Sequence, residues 1–67
     1  METITYYQVR RHQVTLGVFS TFWAADSYAK DESNEHPEGS FVVGVASNPG
    51  RFVPSGFWKN GIWNGND

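Results

Sequence analysis

The chain has 67 residues, no cysteine and a net charge of −2, with a hydrophobic fraction of 39% and an aromatic fraction of 16%. This length predicts a single small domain, residues 1–67, and the absence of cysteine excludes disulfides and thiolate metal sites. The negative charge is unlike that of a general nucleic-acid-binding protein, and no apolar run has the length of a membrane span.

Two segments near the N-terminus predict a β-hairpin. Residues 3–9, TITYYQV, are rich in β-branched and aromatic side chains, and residues 14–19, VTLGVF, alternate with a period of two. The connection RRHQ lacks the Asn-Gly pair of a tight turn. We therefore expect either a longer loop or strands that run on to a bend.

A helix is predicted from about Thr21 to Ser33, because apolar residues recur there at a spacing of three to four. Ser20 and Thr21 are both suitable N-caps. The stripe expected to pack on the sheet is Phe22, Ala25 and Ala29, with Tyr28 beside it. Acidic side chains near the helix C-terminus oppose the macrodipole, so the last turn is expected to fray into the loop NEHPEGS.

The second half of the chain contains further strand signals. Residues 41–46, FVVGVA, are apolar on both faces and predict a central strand. Asn48-Pro49-Gly50 predicts a type II turn, followed by a short strand, residues 51–53, which Pro54 ends. Residues 57–63 predict a small hairpin. Gly17 and Gly44 interrupt two strands, which predicts that Trp23 or another aromatic ring packs over them.

The resulting order, β-β-α-β-β, predicts an α+β domain in which one helix packs across an antiparallel sheet of three to four strands. The segment LGVFSTFWAADSYAK resembles the strand-to-helix step of SPOR peptidoglycan-binding domains. That family has a second helix and a further strand repeat, which residues 47–67 do not supply. Membership in it is therefore not predicted.

The aromatic C-terminal segment, residues 52–67, is the most informative part of the chain for function. Its large rings must be buried in the core of the domain or in a partner. Trp58 and Trp63 either complete the core, anchor a protein interface, or stack bases or sugars. We expect Trp58 to be the more buried of the two. The candidate protein-interface residues are Trp63, Phe57, Trp58, Arg51 and Lys59.

A second group of residues would suit nucleic acid. Arg10 and Arg11 form the basic cluster with His12, and they lie close to two tyrosines in sequence. The alternative nucleic-acid contacts are Tyr6, Tyr7, Arg10 and Arg11. The alternative to binding is a solvated hairpin end. The acidic stretch from Asp26 to Glu38 would likewise suit a basic protein surface, or be a solvated helix face and loop.

Catalytic and metal signatures are lacking in the sequence. His12 and His36 have no nucleophile or carboxylate partner at a diagnostic spacing, and two histidines without cysteine do not make a closed zinc site. We therefore predict no enzyme activity, no cofactor and no stoichiometric metal ion.

The sequence is best interpreted as a non-catalytic module that binds a larger protein, in the manner of a small regulatory or inhibitory protein, for example a virus-encoded one. Met1 is followed by Glu2 and a strand-like segment, which does not predict a signal peptide. We expect a complete protein of the cytoplasm, the host cytoplasm if virus-encoded, with no membrane partner. The alternatives are a single-stranded nucleic-acid-binding protein and a structural homo-oligomer joined through the tryptophan-rich tail.

Overall fold

The protein is an α+β domain, as predicted, with one helix packed on a five-stranded antiparallel sheet. The computed structural model describes residues 5–47 and 50–65. The elements are β1 (Thr5–Arg11), β2 (Val14–Phe19), α1 (Phe22–Glu35), β3 (Ser40–Ser47), β4 (Arg51–Lys59) and β5 (Ile62–Gly65). The sheet has one strand more than the three to four expected. The predicted start of β1 at residue 3 and the Asn48-Pro49 part of the predicted turn lie outside the described residues.

The strands lie in the order β2-β1-β3-β4-β5, and all neighbours are antiparallel. The apolar strand β3 is central, as its sequence predicted, and β2 and β5 form the two edges. Because side chains alternate along a strand, the sheet has a helix side and an open face. The open face, opposite α1, carries Tyr6, Arg10, Val42, Phe52 and Phe57.

The core lies between α1 and the central strands. Thr21 caps the helix, since its hydroxyl oxygen accepts a hydrogen bond of 3.2 Å from the amide of Ala24. Ala25 and Ala29 are fully buried, and their small side chains let the helix approach the sheet closely. They pack with the buried residues Val9, Phe41 and Val43. Phe22, the third member of the predicted stripe, is instead 37% exposed and lies at the margin of this core.

The helix continues to Glu35, two residues beyond the predicted end at Ser33. Ser33 is fully buried. Its hydroxyl donates to the Lys30 carbonyl at 2.8 Å and accepts from the Gly61 amide at 3.0 Å. The last turn is therefore attached to the β4–β5 turn, which compensates for its unfavourable acidic side chains.

The first hairpin takes the second of its two expected forms, because β1 runs on through Arg10 and Arg11 to a tight two-residue turn, His12-Gln13, with φ angles of 52° and 66°. The strand after β3 differs from the prediction. Pro54 does not end a strand, because β4 runs from Arg51 to Lys59. A bulge accommodates the proline: Val43 pairs with Gly56 and Gly44 with Pro54, so Ser55 is the extra residue.

Three strand glycines lie under aromatic rings. A Cβ atom added to Gly17 would come within 2.8 Å of the Phe19 ring, and one added to Gly44 within 2.7 Å of the Phe52 ring. A Cβ atom at Gly56 would come within 2.6 Å of the indole of Trp63. Aromatic rings therefore cover Gly17 and Gly44 as predicted, but Trp23 does not take part, since it is 79% exposed.

Candidate functional site: an aromatic notch beside the helix

An open hollow of about 350 Å³ lies between the first turns of α1 and the β4–β5 hairpin. It is lined by Phe22 and Asp26 from the helix, Trp58 from β4 and Trp63 from β5, and we call these four residues the aromatic notch. Phe22 and Asp26 are four residues apart and so share one helix face. Trp58 and Trp63 are direct cross-strand partners on the helix side of the sheet. Regular secondary structure thus positions all four side chains.

Aromatic contacts and one hydrogen bond define the geometry of the notch. The Trp58 and Trp63 ring centroids are 5.5 Å apart with a tilt of 53°. The indole Nε1 of Trp58 donates to Asp26 Oδ1 at 2.7 Å, which joins β4 to the helix. Phe22 meets Tyr7 edge-to-face at 5.9 Å on the side away from the hairpin. The walls are therefore fixed by contacts with the rest of the fold.

The notch opens next to further exposed aromatic surface. Trp23 precedes Asp26 by three residues and Lys30 by seven, so the three side chains lie along the same side of the helix. The Lys30 ammonium lies 5.7 Å from the Trp58 ring. Trp23 is 79% exposed and Trp63 37% exposed. We call Trp23 and Lys30 the notch rim.

The residues predicted for a protein interface do not share one surface. Trp58 and Trp63 line the notch, with Trp58 packed against the core. Side chains alternate along β4, so Phe57 and Lys59 both lie on the open face, opposite to Trp58. Arg51 lies exposed at the start of β4, at the opposite end of that strand from Lys59.

Four residues of the site and its rim lie outside the predicted interface set: Phe22, Trp23, Asp26 and Lys30. The sequence predicts Phe22 in the core stripe and Trp23 over a strand glycine, and it places Asp26 in an acidic stretch that would suit a basic protein surface or be solvated. The sequence signal that links the first three is helical spacing, since positions 22, 23 and 26 fall on adjacent faces of one turn. What the spacing does not reveal is that the β4–β5 hairpin lies opposite them.

The four predicted nucleic-acid contacts are divided between the two faces. Tyr7 and Arg11 lie on the helix side, where the Arg11 guanidinium is 5.3 Å from the Phe41 ring and 3.8 Å from Glu38. Tyr6 and Arg10 lie on the open face. There the Arg10 guanidinium stacks 3.9 Å from the Phe52 ring centre, and its Nε donates to Gln8 Oε1 at 2.9 Å.

The open face also has two shallow hollows, of about 180 and 280 Å³, on either side of a ridge made by Val42 and Pro54. Phe57 and Asn64 border the smaller hollow, whereas Phe52 and Arg10 border the larger. Their lining is mainly apolar, and the aromatic notch differs from them in containing a carboxylate.

Titratable groups gather at the far end of the helix. Glu32, Glu35 and His36 bring one potential ligand atom each within 4.8 Å of one another, and His36 lies 3.8 Å from Glu32 and 3.9 Å from Glu38. Glu35 and His36 are exposed, so this cluster is solvated and its geometry alone does not define a metal site. On the adjoining flank, burial raises the pKa of Tyr28, and the hydrogen bond and negative charge of Glu32 raise it further.

Comparison of the chain with known protein families, curated protein sequences and solved structures found no match. In the part of the chain that the structure describes, no helix is long and apolar enough to cross a membrane.

Proposed function

We propose that this protein is a non-catalytic protein-binding module and that the aromatic notch with its rim is the docking surface. The observation that carries the proposal is the position of the three tryptophans. Two of them line the notch, and the third, Trp23, extends from its rim with 79% of its surface exposed. Leaving so large a ring in water is unfavourable for an isolated domain, and covering it with a partner would recover that free energy.

The composition of the surface supports a protein partner in particular. Tryptophan is among the residues most enriched in the few positions that supply most of the binding energy of protein interfaces. Such positions work best when the ring is held in one orientation before binding, because less conformational entropy is then lost. Trp58 meets this condition through its hydrogen bond to Asp26, and Trp63 through its position across Gly56. A small regulatory or inhibitory protein, for example a virus-encoded one, would use such a surface to occupy a site on a larger protein.

The test is affinity capture with the tagged protein from a lysate of the cells in which it occurs, followed by measurement of the dissociation constant for the captured partner. Trp23→Ala should weaken binding by roughly 30-fold or more, the loss expected for a central interface tryptophan. Its melting temperature should stay close to that of the wild type, because this side chain is mostly exposed.

A matched control is Val14→Ala, which shortens another exposed apolar side chain at the far edge of the sheet. It should bind within about two-fold of the wild type. Wild-type affinity in Trp23→Ala and Trp63→Ala alike, or a larger loss in Val14→Ala, would place the docking surface elsewhere and contradict the proposal.

A second candidate function, single-stranded nucleic-acid binding, is favoured by the Arg10–Phe52 stack with Tyr6 on the same face. Stacking on aromatic rings beside a cation is how sheet surfaces bind unpaired bases. Titration with oligonucleotides separates the two functions, because phosphate contacts make affinity fall steeply with salt. Binding that is strong at low salt and lost in Arg10→Gln would favour this alternative. The third alternative, a homo-oligomer joined through the tail, predicts that Trp63→Ala lowers the mass measured by light scattering.

A further inference from the structure

We infer that the aromatic notch receives a positively charged side chain, lysine or arginine, from the partner protein. This inference rests on the proposed function and makes it specific, since it states which chemical group of the partner enters the hollow. It follows from three features: a carboxylate that lies outside the ion pairs of the described residues, aromatic walls, and the charge of the helix that carries the carboxylate.

The carboxylate of Asp26 is the first feature. It is half-buried, and its Oδ1 accepts the Trp58 indole hydrogen bond at 2.7 Å. Within residues 5–47 and 50–65, the ion pairs involve Glu32 and Glu38, and none involves Asp26. A carboxylate oxygen has capacity for more than one hydrogen bond. Asp26 therefore offers acceptor capacity and a carboxylate outside these ion pairs to whatever enters the notch, with Lys30 as the nearby cation on the same side of the helix.

The aromatic walls are the second feature. Trp58, Trp63 and Phe22 present three rings around this one carboxylate. The face of an aromatic ring attracts cations, most strongly for tryptophan, and the attraction grows when the cation is partly shielded from water. The chain already shows this attraction, since the Lys30 ammonium lies 5.7 Å from the Trp58 ring. A neutral polar group would gain less from the same rings.

The third feature is the charge of the helix and of the loop that follows it, most of which lies toward the end of the helix away from the notch. The helix and the following loop carry five acidic side chains, Asp26, Asp31, Glu32, Glu35 and Glu38, with one lysine between them. The net charge of the whole chain is −2. A basic partner surface would be drawn toward this side of the molecule, and a like-charged one would be repelled. Charge complementarity thus favours a cation over an anion as the partner group that enters the notch.

The experiment uses NMR of the ¹⁵N-labelled protein, in which each tryptophan gives a separate indole N–H signal. The probes are N-acetyl-arginine amide and N-acetyl-lysine amide, and the neutral control is N-acetyl-citrulline amide, which matches arginine in shape. We expect both cations to shift the Trp58 and Trp63 indole signals in a saturable way, with citrulline binding about three- to ten-fold more weakly. Equal shifts with citrulline, or shifts confined to the open face around Arg10, would overturn the inference.

Two variants test the carboxylate directly. Asp26→Asn keeps an oxygen that accepts the Trp58 hydrogen bond, so the fold should be retained, but it should weaken arginine binding about three- to ten-fold. The matched control, Asp31→Asn, removes the same charge from an exposed position on the same helix and should change binding less than two-fold. Equal effects of the two variants would show a general electrostatic attraction and overturn the specific site.

Lys30→Met provides a test of opposite sign, because it removes a cation that already lies near Trp58. It should strengthen binding of the arginine probe about two-fold or more by relieving like-charge repulsion. Weaker binding in this variant would contradict the inference. If neither cation probe shifts the indole signals while partner affinity still depends on Trp23, this inference is rejected. The proposed docking surface is then still supported.

Discussion

At the scale of single residues, two tight turns within the described ranges have left-handed backbone with different side chains. The β4–β5 turn is Asn60-Gly61, with φ angles of 52° and 74°, and both residue types tolerate the left-handed region. The β1–β2 turn is His12-Gln13, with φ angles of 52° and 66°. A Cβ atom is unfavourable in that region, so Gln13 retains strain that Gly61 avoids at the second position of the other turn.

Replacing Gln13 with glycine should therefore stabilise the protein. The relief of backbone strain exceeds the added entropy of the unfolded chain by about 0.5–1 kcal/mol, which corresponds to a rise in melting temperature of about 3–6 °C. Thermal denaturation followed by circular dichroism measures this rise. Gln13→Ala, which keeps the Cβ atom, should give no such rise, and Gly61→Ala should lower the melting temperature. A lower melting temperature in Gln13→Gly would show that the glutamine side chain supplies a stabilising contact.

The sequence could predict some of these residue roles and not others. The two alternatives for Trp58 and Trp63, burial in the core or in an interface, follow from the size of these side chains and their position near the end of the chain. The hydrogen bond between Trp58 and Asp26 could not be foreseen, because it joins positions 32 apart and depends on where the hairpin lies relative to the helix. The two-residue length of the His12-Gln13 turn could not be predicted, because the pair lacks the Asn-Gly signal of a tight turn and glutamine is not typical of a left-handed conformation.

At the scale of elements, the β4–β5 hairpin contributes both to the core and to the notch. Trp58 packs against the core cluster and bonds to the helix, whereas Trp63 lies on the edge strand across Gly56. The two rings contact each other, yet their surroundings differ. Stability and binding should accordingly depend on different members of this tryptophan pair.

Alanine substitution separates the two roles. Trp58→Ala should lower the free energy of unfolding by about 2–3 kcal/mol, somewhat less than the loss for a fully buried tryptophan. The melting temperature should fall by about 10 °C or more. Trp63→Ala should cost about 1 kcal/mol and mainly weaken binding or self-association. Trp58→Phe serves as a control that keeps a ring but removes the indole donor, and it should fall between the two. A larger thermal effect of Trp63→Ala would make β5 a core strand.

Most elements could be predicted because their local patterns agree with the tertiary structure. The alternation in residues 14–19 and the apolar run in residues 41–46 each specify a strand, and Thr21 begins the helix that its capping side chain predicts. The predictions failed where contacts between residues far apart in the sequence determine the local structure. The helix continues past Ser33, whose hydroxyl accepts a hydrogen bond from the Gly61 amide. Strand β4 continues past Pro54 because a bulge in its pairing with β3 accommodates the proline.

At the scale of the whole molecule, strand β2 forms an apolar edge of the sheet. Its sequence, VTLGVF, contains neither a charge nor a proline, and both Val14 and Val18 are 59% exposed. Its protection comes from a bulge, because Gly17 pairs with Val9 and Thr15 with Arg10, which leaves Leu16 as the extra residue. An apolar edge of this kind favours pairing with another chain.

A single lysine on this edge should reduce self-association. Val18→Lys is expected to lower the concentration-dependent increase in light scattering while changing stability by about 0.5 kcal/mol or less. Val18→Thr keeps the branched shape without a charge, so it should scatter much as the wild type does. If Val18→Lys and Val18→Thr behave alike while Trp63→Ala lowers the apparent mass, association proceeds through the tail instead.

The three rings that lie over strand glycines carry an evolutionary consequence. The Phe19 ring occupies the space that a Cβ atom of Gly17 would need, so positions 17 and 19 should vary as a linked pair among descendants of this sequence. A Cβ atom at Gly44 or Gly56 would also meet a backbone oxygen, that of Val53 at 2.5 Å or that of Asn64 at 2.6 Å. Glycine should therefore persist at positions 44 and 56 even in lineages that have replaced Phe52 or Trp63. The notch could then lose its outer tryptophan without any change at position 56.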